Sequence, residues 1–392
     1  MTESKIDIKI PNPFWWSKLA NIILDLEKLR SKEVYWEIPP HIFFQLKDVF
    51  QMLETLGSAR IEWNNTTLAE YIDRIIDKEW KGQSIDKKEW QLEIENIENA
   101  IKFIEENTTE KTKINRAYIS ELHKIVTKDL TPPPKWEGSK NPWNLRNHNV
   151  KINKSNHIPP DCGILLDYFE EFIDFINKNH FEQYQLLMIA IAHHRFAFIH
   201  PFDNWNGRMW RLLNYAFLIK LWFAKKESRI INPSSVFYTD RDKYYEMLWI
   251  ADSLQDEWLL KWSEYFLLWL KNEVEKIDSL LNKKYVKQKL LIPAIDFSLD
   301  RKILTQVEHN ILKYIILKDD MLIKSEELWE LWITNSVKKS RIMTRLKKKN
   351  IIHSISKWWR IYTISFVDNN LLRWIIEILE KEWFVSNFLN KN

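Results

Sequence analysis

Glycine is almost missing from this chain, with 5 among 392 residues. At the usual ~7% a chain of this length would carry roughly 27. Left-handed turns, anion-binding loops and close backbone approaches all favour glycine, so such features must be absent or must be written with another letter. Cysteine is nearly absent too. Cys162 stands alone, which excludes an intrachain disulfide and leads us to expect a reducing, cytoplasmic setting. No apolar run is long enough to cross a bilayer, and Met1 to Ile10 is polar and charged, unlike a secretory signal; no membrane is expected among the partners. There is no low-complexity tract and no internal repeat. The net charge of +4 is only mildly basic, so global charge names no partner.

Tryptophan is what the chain has in excess, 21 residues, and with the glycines this makes up about the expected glycine content. Several tryptophans stand where glycine is physically natural. Trp205 and Trp210 lie in NWNGRMWRLL, which would read well as NGNGRMGRLL. Trp143 follows Pro142 at a turn position that favours glycine. Trp63 lies in IEWNN, and Trp358-Trp359 mark an expected hairpin tip. The codon UGA is read as tryptophan in some genetic codes and as glycine in some bacterial lineages. We therefore expect many of the tryptophan letters to be glycine in the working protein, those at 63, 143, 205 and 210 among them, with some of the 21 genuine.

The chain is organised around His200–Arg211, HPFDNWNGRMWR. His200 can act as a base. Asn206-Gly207 can turn N–H groups toward an anion, and a loop opening into a helix N-terminus favours negative charge. Arg208 and Arg211, three residues apart, share one helix face. A base, an anion-binding turn and two guanidinium groups point to chemistry on a phosphate ester. Any one of these residues alone would read as ordinary helix-loop-helix structure. A zinc reading of His193, His194 and His200 lacks a carboxylate at suitable spacing.

The stretch resembles the Fic signature HPFx[D/E]GNGRxxR, matching at His200, Pro201, Phe202, Asn206, Gly207, Arg208 and Arg211. It departs at Asn204, where the family has an acid, and at Trp205, where it has glycine. Upstream, Ala192, His193, Phe196 and Ile199 fit the lead-in. Ser58 to Asn64 resembles the family's inhibitory helix motif [S/T]xxxE[G/N], with Ser58 and Glu62 matching and Trp63 read as glycine. Asn141 to Ile152 resembles the flap that aligns a target segment by strand addition, with a strand expected at Val150–Ile152. Arg241, Tyr244 and Tyr245 fit the family's later RxxYYxxL pattern. The resemblance covers about residues 58–270.

It implies transfer of AMP from ATP to a Ser, Thr or Tyr hydroxyl of a protein substrate, which can be the chain itself. His200 would be the catalytic base. Asn206, Gly207, Arg208 and Arg211 would bind the nucleotide, with position 205 in the same loop. Asn204 would stand at the Mg²⁺ position, helped by Asp203. Glu62 would inhibit by occupying Arg211, the fork that the γ-phosphate needs.

The fold expected is mainly α: a Fic-type helical bundle with a small β-hairpin flap, then a C-terminal winged-helix domain. We divide the chain into an N-terminal helical region (1–110), a catalytic core (111–275), a linker broken by Pro293 (276–300), the winged helix (301–367) and a terminal helix (368–392). In the winged helix, Leu304–Leu317, Ser325–Leu331 and Ser336–Lys348 read as helices and Ile361–Ser365 as a strand. The third helix carries Lys338, Lys339, Arg341, Arg345, Lys347 and Lys348, a face suited to DNA phosphates. The alternative function is a DNA-binding regulator whose Fic domain senses nucleotide or is inactive. Either reading admits a homodimer.

Overall fold

The computed structural model describes residues 8–14, 17–31, 37–61, 67, 70–73, 85–152, 155–221, 241–355 and 360–381. Glu62, Trp63, Trp358 and Trp359 lie outside them. The chain divides into two compact units, 1–33 with 54–65 and 83–275, and 34–53 with 66–82 and 276–392. Among the described residues, no helix is long and apolar enough to cross a membrane.

The regular elements described in the first unit are helices. Helix α1 (Lys18–Ser31) buries Leu19, Ile22, Ile23 and Leu26, the one-face spacing of an amphipathic helix. Helix α2 (Pro40–Ile61) gives its last residues to this unit. In α3 (Ile85–Asn107) the buried stripe is Ile94, Ile97, Ile101 and Ile104. Helix α4 (Arg116–Val126) starts at Asn115, whose side chain accepts from the Tyr118 N–H at 3.0 Å, a standard N-cap. Helix α5 (Leu165–Asn177) packs Phe169, Phe172 and Ile176 inward.

Two helices differ from these. In α6 (Gln185–Ile199) and α7 (Asn206–Lys220), nearly every residue is buried. A helix buried on all sides belongs at the centre of a bundle. The loop joining α6 to α7 is the motif loop, so its backbone is set by the best-packed part of the unit. Helices α8 (Arg241–Ala251) and α9 (Asp256–Leu281) complete the unit. At Val150–Ile152 the backbone is irregular; the expected strand has no partner among the described residues, and alternation alone does not make a ladder.

In the second unit the stretch read as a linker is helical. Lys283–Tyr285 leads through π-turns at Val286–Leu291 into α10 (Ile292–Asp300). Pro293 occupies the first turn of α10, where a missing N–H costs nothing, so it does not break the stretch. Helix α11 (Gln306–Leu317) opens with a Thr305/Glu308 capping box. Then come β1 (Leu322–Lys324), a 3₁₀ turn at Ser325–Leu331, α12 (Ser336–Lys348), β2 (Ile352–Ser354), β3 (Ile361–Ile364) and α13 (Leu371–Lys381). The strands form one antiparallel sheet in the order β1-β3-β2, with Ile323 opposite Tyr362 and His353 opposite Thr363. β1 and β2 are too short to show a pattern of their own. The Gln45 side chain closes the end of β3, donating to the Ile364 carbonyl and accepting from the Phe366 N–H, both at 3.0 Å.

Candidate active site

The motif loop is held at three points. Phe202 is fully buried and stacks on His123 of α4, with ring centroids 3.9 Å apart and planes 5° apart. Asn206 fastens the loop to itself: its Oδ1 accepts from the Phe202 N–H at 2.9 Å and its Nδ2 donates to the Phe202 carbonyl at 2.7 Å. Arg146 clamps the loop from outside. Its Nε donates to the His200 carbonyl at 2.9 Å, its Nη1 to the His148 carbonyl at 2.9 Å, and its Nη2 to the Pro160 carbonyl. The Arg146 N–H also donates to the Pro201 carbonyl at 2.9 Å. His200 itself ends α6 in left-handed backbone, φ 49°, with its N–H on the Phe196 carbonyl at 3.0 Å. Histidine tolerates that region better than most side chains.

His123 is fully buried, and burial pushes its pKa down to about 4. It therefore supports the loop as a neutral ring. A histidine depressed in the fold contributes stability that is complete above its unfolded pKa of about 6.5 and is lost as pH falls toward about 4. Thermal unfolding across that window should show a loss of up to about 3 kcal/mol from this group. His123→Phe, which keeps the stack, should have a shallower pH slope; an unchanged slope would assign the loss to other groups.

The two motif arginines are both buried, and each is engaged. Arg211 donates from Nε to the Ser58 hydroxyl and from Nη2 to the Ser58 carbonyl, both at 3.1 Å. The end of α2 that carries Ser58 thus lies on Arg211, and Glu62 follows one residue beyond the helix. Arg208 pairs with buried Glu93 at 2.6 Å and with Glu137, half exposed, at 3.0 Å. Its guanidinium also lies over the Trp205 ring at 4.1 Å.

His200, Asp203, Asn204, Trp205, Asn206, Gly207 and Arg208 line one cavity of about 680 Å³, together with Lys151, His157, Tyr244, Tyr245 and Trp249. The Asn206 side chain is engaged with the Phe202 backbone. Asn204 donates from Nδ2 to the Gly138 carbonyl at 3.1 Å. Asp203 holds a buried Oδ1 that makes no hydrogen bond and lies 3.7 Å from His148 Nδ1, a carboxylate oxygen suited to a hard cation. The described residues hold no cluster of three His, Cys, Asp or Glu able to bind a metal by themselves. The zinc reading fails on geometry. His193 meets Tyr244 Oη at 3.0 Å and Asn214 Nδ2 at 2.7 Å, while His194 meets Asp252 at 3.0 Å.

Three contributors escaped the sequence reading in these roles. Arg146 lay only within the stretch that resembles the flap, and Glu93 and Glu137 were given no role. Each acts across tens of residues of sequence, so no local spacing reveals it.

Residues 113–218 match the model of the Fic/DOC family. The chain carries a Fic domain. Protein adenylyltransferase Fic from Drosophila willistoni is 29% identical over 198 residues, covering 50% of this chain and 36% of the relative. The Drosophila melanogaster protein of the same name gives the same identity and coverage. The chain thus spans about a third of the length of these relatives. A Fic family protein from Desulfovibrio desulfuricans aligns at a TM-score of 0.55 and 17% identity, over 91% of this chain and 98% of its own. A Fic domain containing signaling protein from Bacteroides thetaiotaomicron aligns at 0.50 and 16%, over 68% and 96%. At those identities the structures speak for the fold alone, and that fold is the helical bundle of the Fic domain.

Proposed function

We propose that this Fic domain is a protein adenylyltransferase, moving AMP from ATP to a Ser, Thr or Tyr hydroxyl. The observation that carries the reading is the single cavity that brings His200 together with the Gly207–Arg208 helix start. His200 would take the proton from the target hydroxyl, whose oxygen attacks the α-phosphorus. The bond from that phosphorus to the β-phosphate bridging oxygen breaks, and pyrophosphate leaves. The first N–H groups of α7, at Gly207, favour the α-phosphate charge. Arg208 would hold the outer phosphates after releasing the accessible Glu137, keeping Glu93 as its fixed partner. Asp203, with the neutral oxygen of Asn204, would hold Mg²⁺, which supplies charge neutralisation on the phosphates.

We also propose that the segment after Ser58 is inhibitory, with Glu62 competing with the γ-phosphate for Arg211. Incubation with ATP labelled on the α-phosphate tests both parts. Label should enter protein, and Glu62→Gly should raise its incorporation tenfold or more, a barrier change of about 1.4 kcal/mol. ATP binding with no label transferred by either form would leave a nucleotide sensor in place of a transferase.

A second reading concerns the second unit, which we propose to be a winged helix that binds DNA. The helix–strand–helix–helix–strand–strand order and the basic α12 favour it. The tertiary contacts narrow the candidate face. Arg345 and Lys349 pair with buried Glu308 at 2.6 and 3.1 Å, and Lys347 donates to the Tyr362 hydroxyl at 3.0 Å. Lys338, Arg341 and Lys348 remain exposed for phosphates. Arg341→Ala should weaken DNA binding and flatten its salt slope by about one. Arg345→Ala should chiefly lower stability, because it takes a partner from buried Glu308. Unaltered binding in Arg341→Ala with Lys338→Ala would move the interface elsewhere.

A further inference from the structure

We infer that positions 143, 205 and 332 are glycine in the protein as its own cells make it, the tryptophan letters there being UGA codons read under another code. Among the described residues, nine that are not glycine have positive φ, and three of these are tryptophan: Trp143 at 80°, Trp205 at 70° and Trp332 at 59°. Tryptophan supplies only 21 of 392 residues, and a bulky side chain in this region is a true outlier. The other six positions hold one residue each of Asp, His, Leu, Lys, Met and Asn.

At 143 and 332 backbone hydrogen bonds hold the turn, whereas at 205 the buried indole also donates its N–H to the Glu137 carbonyl at 2.8 Å. At 143 the N–H donates to His123 Nδ1 at 3.4 Å and the carbonyl accepts from the Ser120 hydroxyl at 2.8 Å. At 332 the N–H donates to the Trp329 carbonyl at 2.9 Å and the next N–H, of Ile333, to the Leu328 carbonyl at 3.1 Å. That is the left-handed end of a helical turn, where glycine is the usual residue. At 205 the residue precedes α7, and its carbonyl accepts from the Met209 N–H at 2.9 Å.

The indoles at 143 and 332 gain little in return. Trp332 is 93% exposed and Trp143 51%. Strain kept for function gathers at a site, yet neither residue lines the motif cavity. Position 332 also lies outside the stretch that matches the family, so the inference stands without that match. Helical tryptophans form a different class. Trp262 is fully buried in α9 and donates its indole N–H to the Ala190 carbonyl at 2.6 Å, and its helical backbone gives no reason for glycine. Trp210 lies in helical backbone too, so its φ gives no reason for glycine. Among the described residues the backbone therefore supports 143 and 205, adds 332, and does not bear on 210. At 205 the change also removes the indole stacked on Arg208, opening the cavity beside that guanidinium.

Tryptic peptide mass spectrometry of protein from its source cells is the test, and it is independent of any activity. Peptides Asn141–Arg146, Phe196–Arg208 and Ser325–Lys338 should carry glycine at 143, 205 and 332. Peptide Trp262–Lys271 should keep tryptophan at 262. Tryptophan at any of the first three positions, or glycine at 262, would overturn the assignment. Recombinant full-length chain gives a second measurement. Trp332→Gly should melt about 2–4 °C above Trp332→Ala, because alanine retains the Cβ that left-handed backbone resists. Equal or lower melting of the glycine variant would refute the backbone argument.

Discussion

Replacing His200 with alanine should lower AMP transfer by about 100- to 10,000-fold, the usual contribution of a general base, while ATP affinity changes little. The contacts that shape the nucleotide side run through backbone and through other residues. Arg146 grips the His200 carbonyl, Asn206 staples the loop and Ser58 holds Arg211. None of these uses the imidazole. One complication is conformational, since His200 sits at positive φ and alanine resists that backbone. His200→Asn is the better-matched variant, because asparagine accepts left-handed backbone and cannot serve as the base. Both variants should bind ATP in titration calorimetry and fail in transfer of α-phosphate label. Transfer by His200→Asn at the original rate would remove this residue from the chemistry.

Arg208→Ala should cost about 3–5 kcal/mol of stability, because it leaves the buried Glu93 carboxylate without its cation. Arg208 and Glu93 are both nearly inaccessible and lie 2.6 Å apart. Such a pair contributes little net stability against an apolar pair, but losing one member is expensive. Adding Glu93→Gln to Arg208→Ala should therefore restore part of the loss, whereas restoring ATP binding requires the guanidinium itself. Glu137→Gln is the control: its carboxylate is half exposed, and an exposed pair is worth about 0–1 kcal/mol. Denaturant melts of the parent chain, Arg208→Ala, Glu93→Gln and the double variant measure the coupling directly. A loss below about 1 kcal/mol in Arg208→Ala would mean that water reaches Glu93 and that the pair is not a structural element.

The helices were legible because their signals are local. The Ile94, Ile97, Ile101 and Ile104 stripe, the Asn115 cap and the continuous apolar run of α6 each lie within one element. The motif was legible because seven of its residues fall within twelve positions. Pro293 was misread because proline at a first turn and proline as a breaker look alike until the helix start is known. The strand expected at Val150–Ile152 failed for a related reason, since alternation says nothing about whether a neighbouring strand exists.

The sequence by itself determined that this is a helical chain with a histidine, an Asn-Gly pair and two arginines at one loop–helix junction. It also exposed the glycine deficit, a matter of composition alone. Only the tertiary structure decided which partners hold those groups: Glu93 and Glu137 on Arg208, Ser58 on Arg211, Arg146 behind His200 and His123 beneath Phe202. It likewise decided which tryptophans sit in left-handed backbone. The physical reason is the range of each interaction. Propensity, capping and periodicity act over a few residues and are written in order along the chain. Ion pairs and ring stacks join residues tens to more than a hundred positions apart, and φ at a turn is set by the hydrogen bonds that its neighbours find only once the chain has packed.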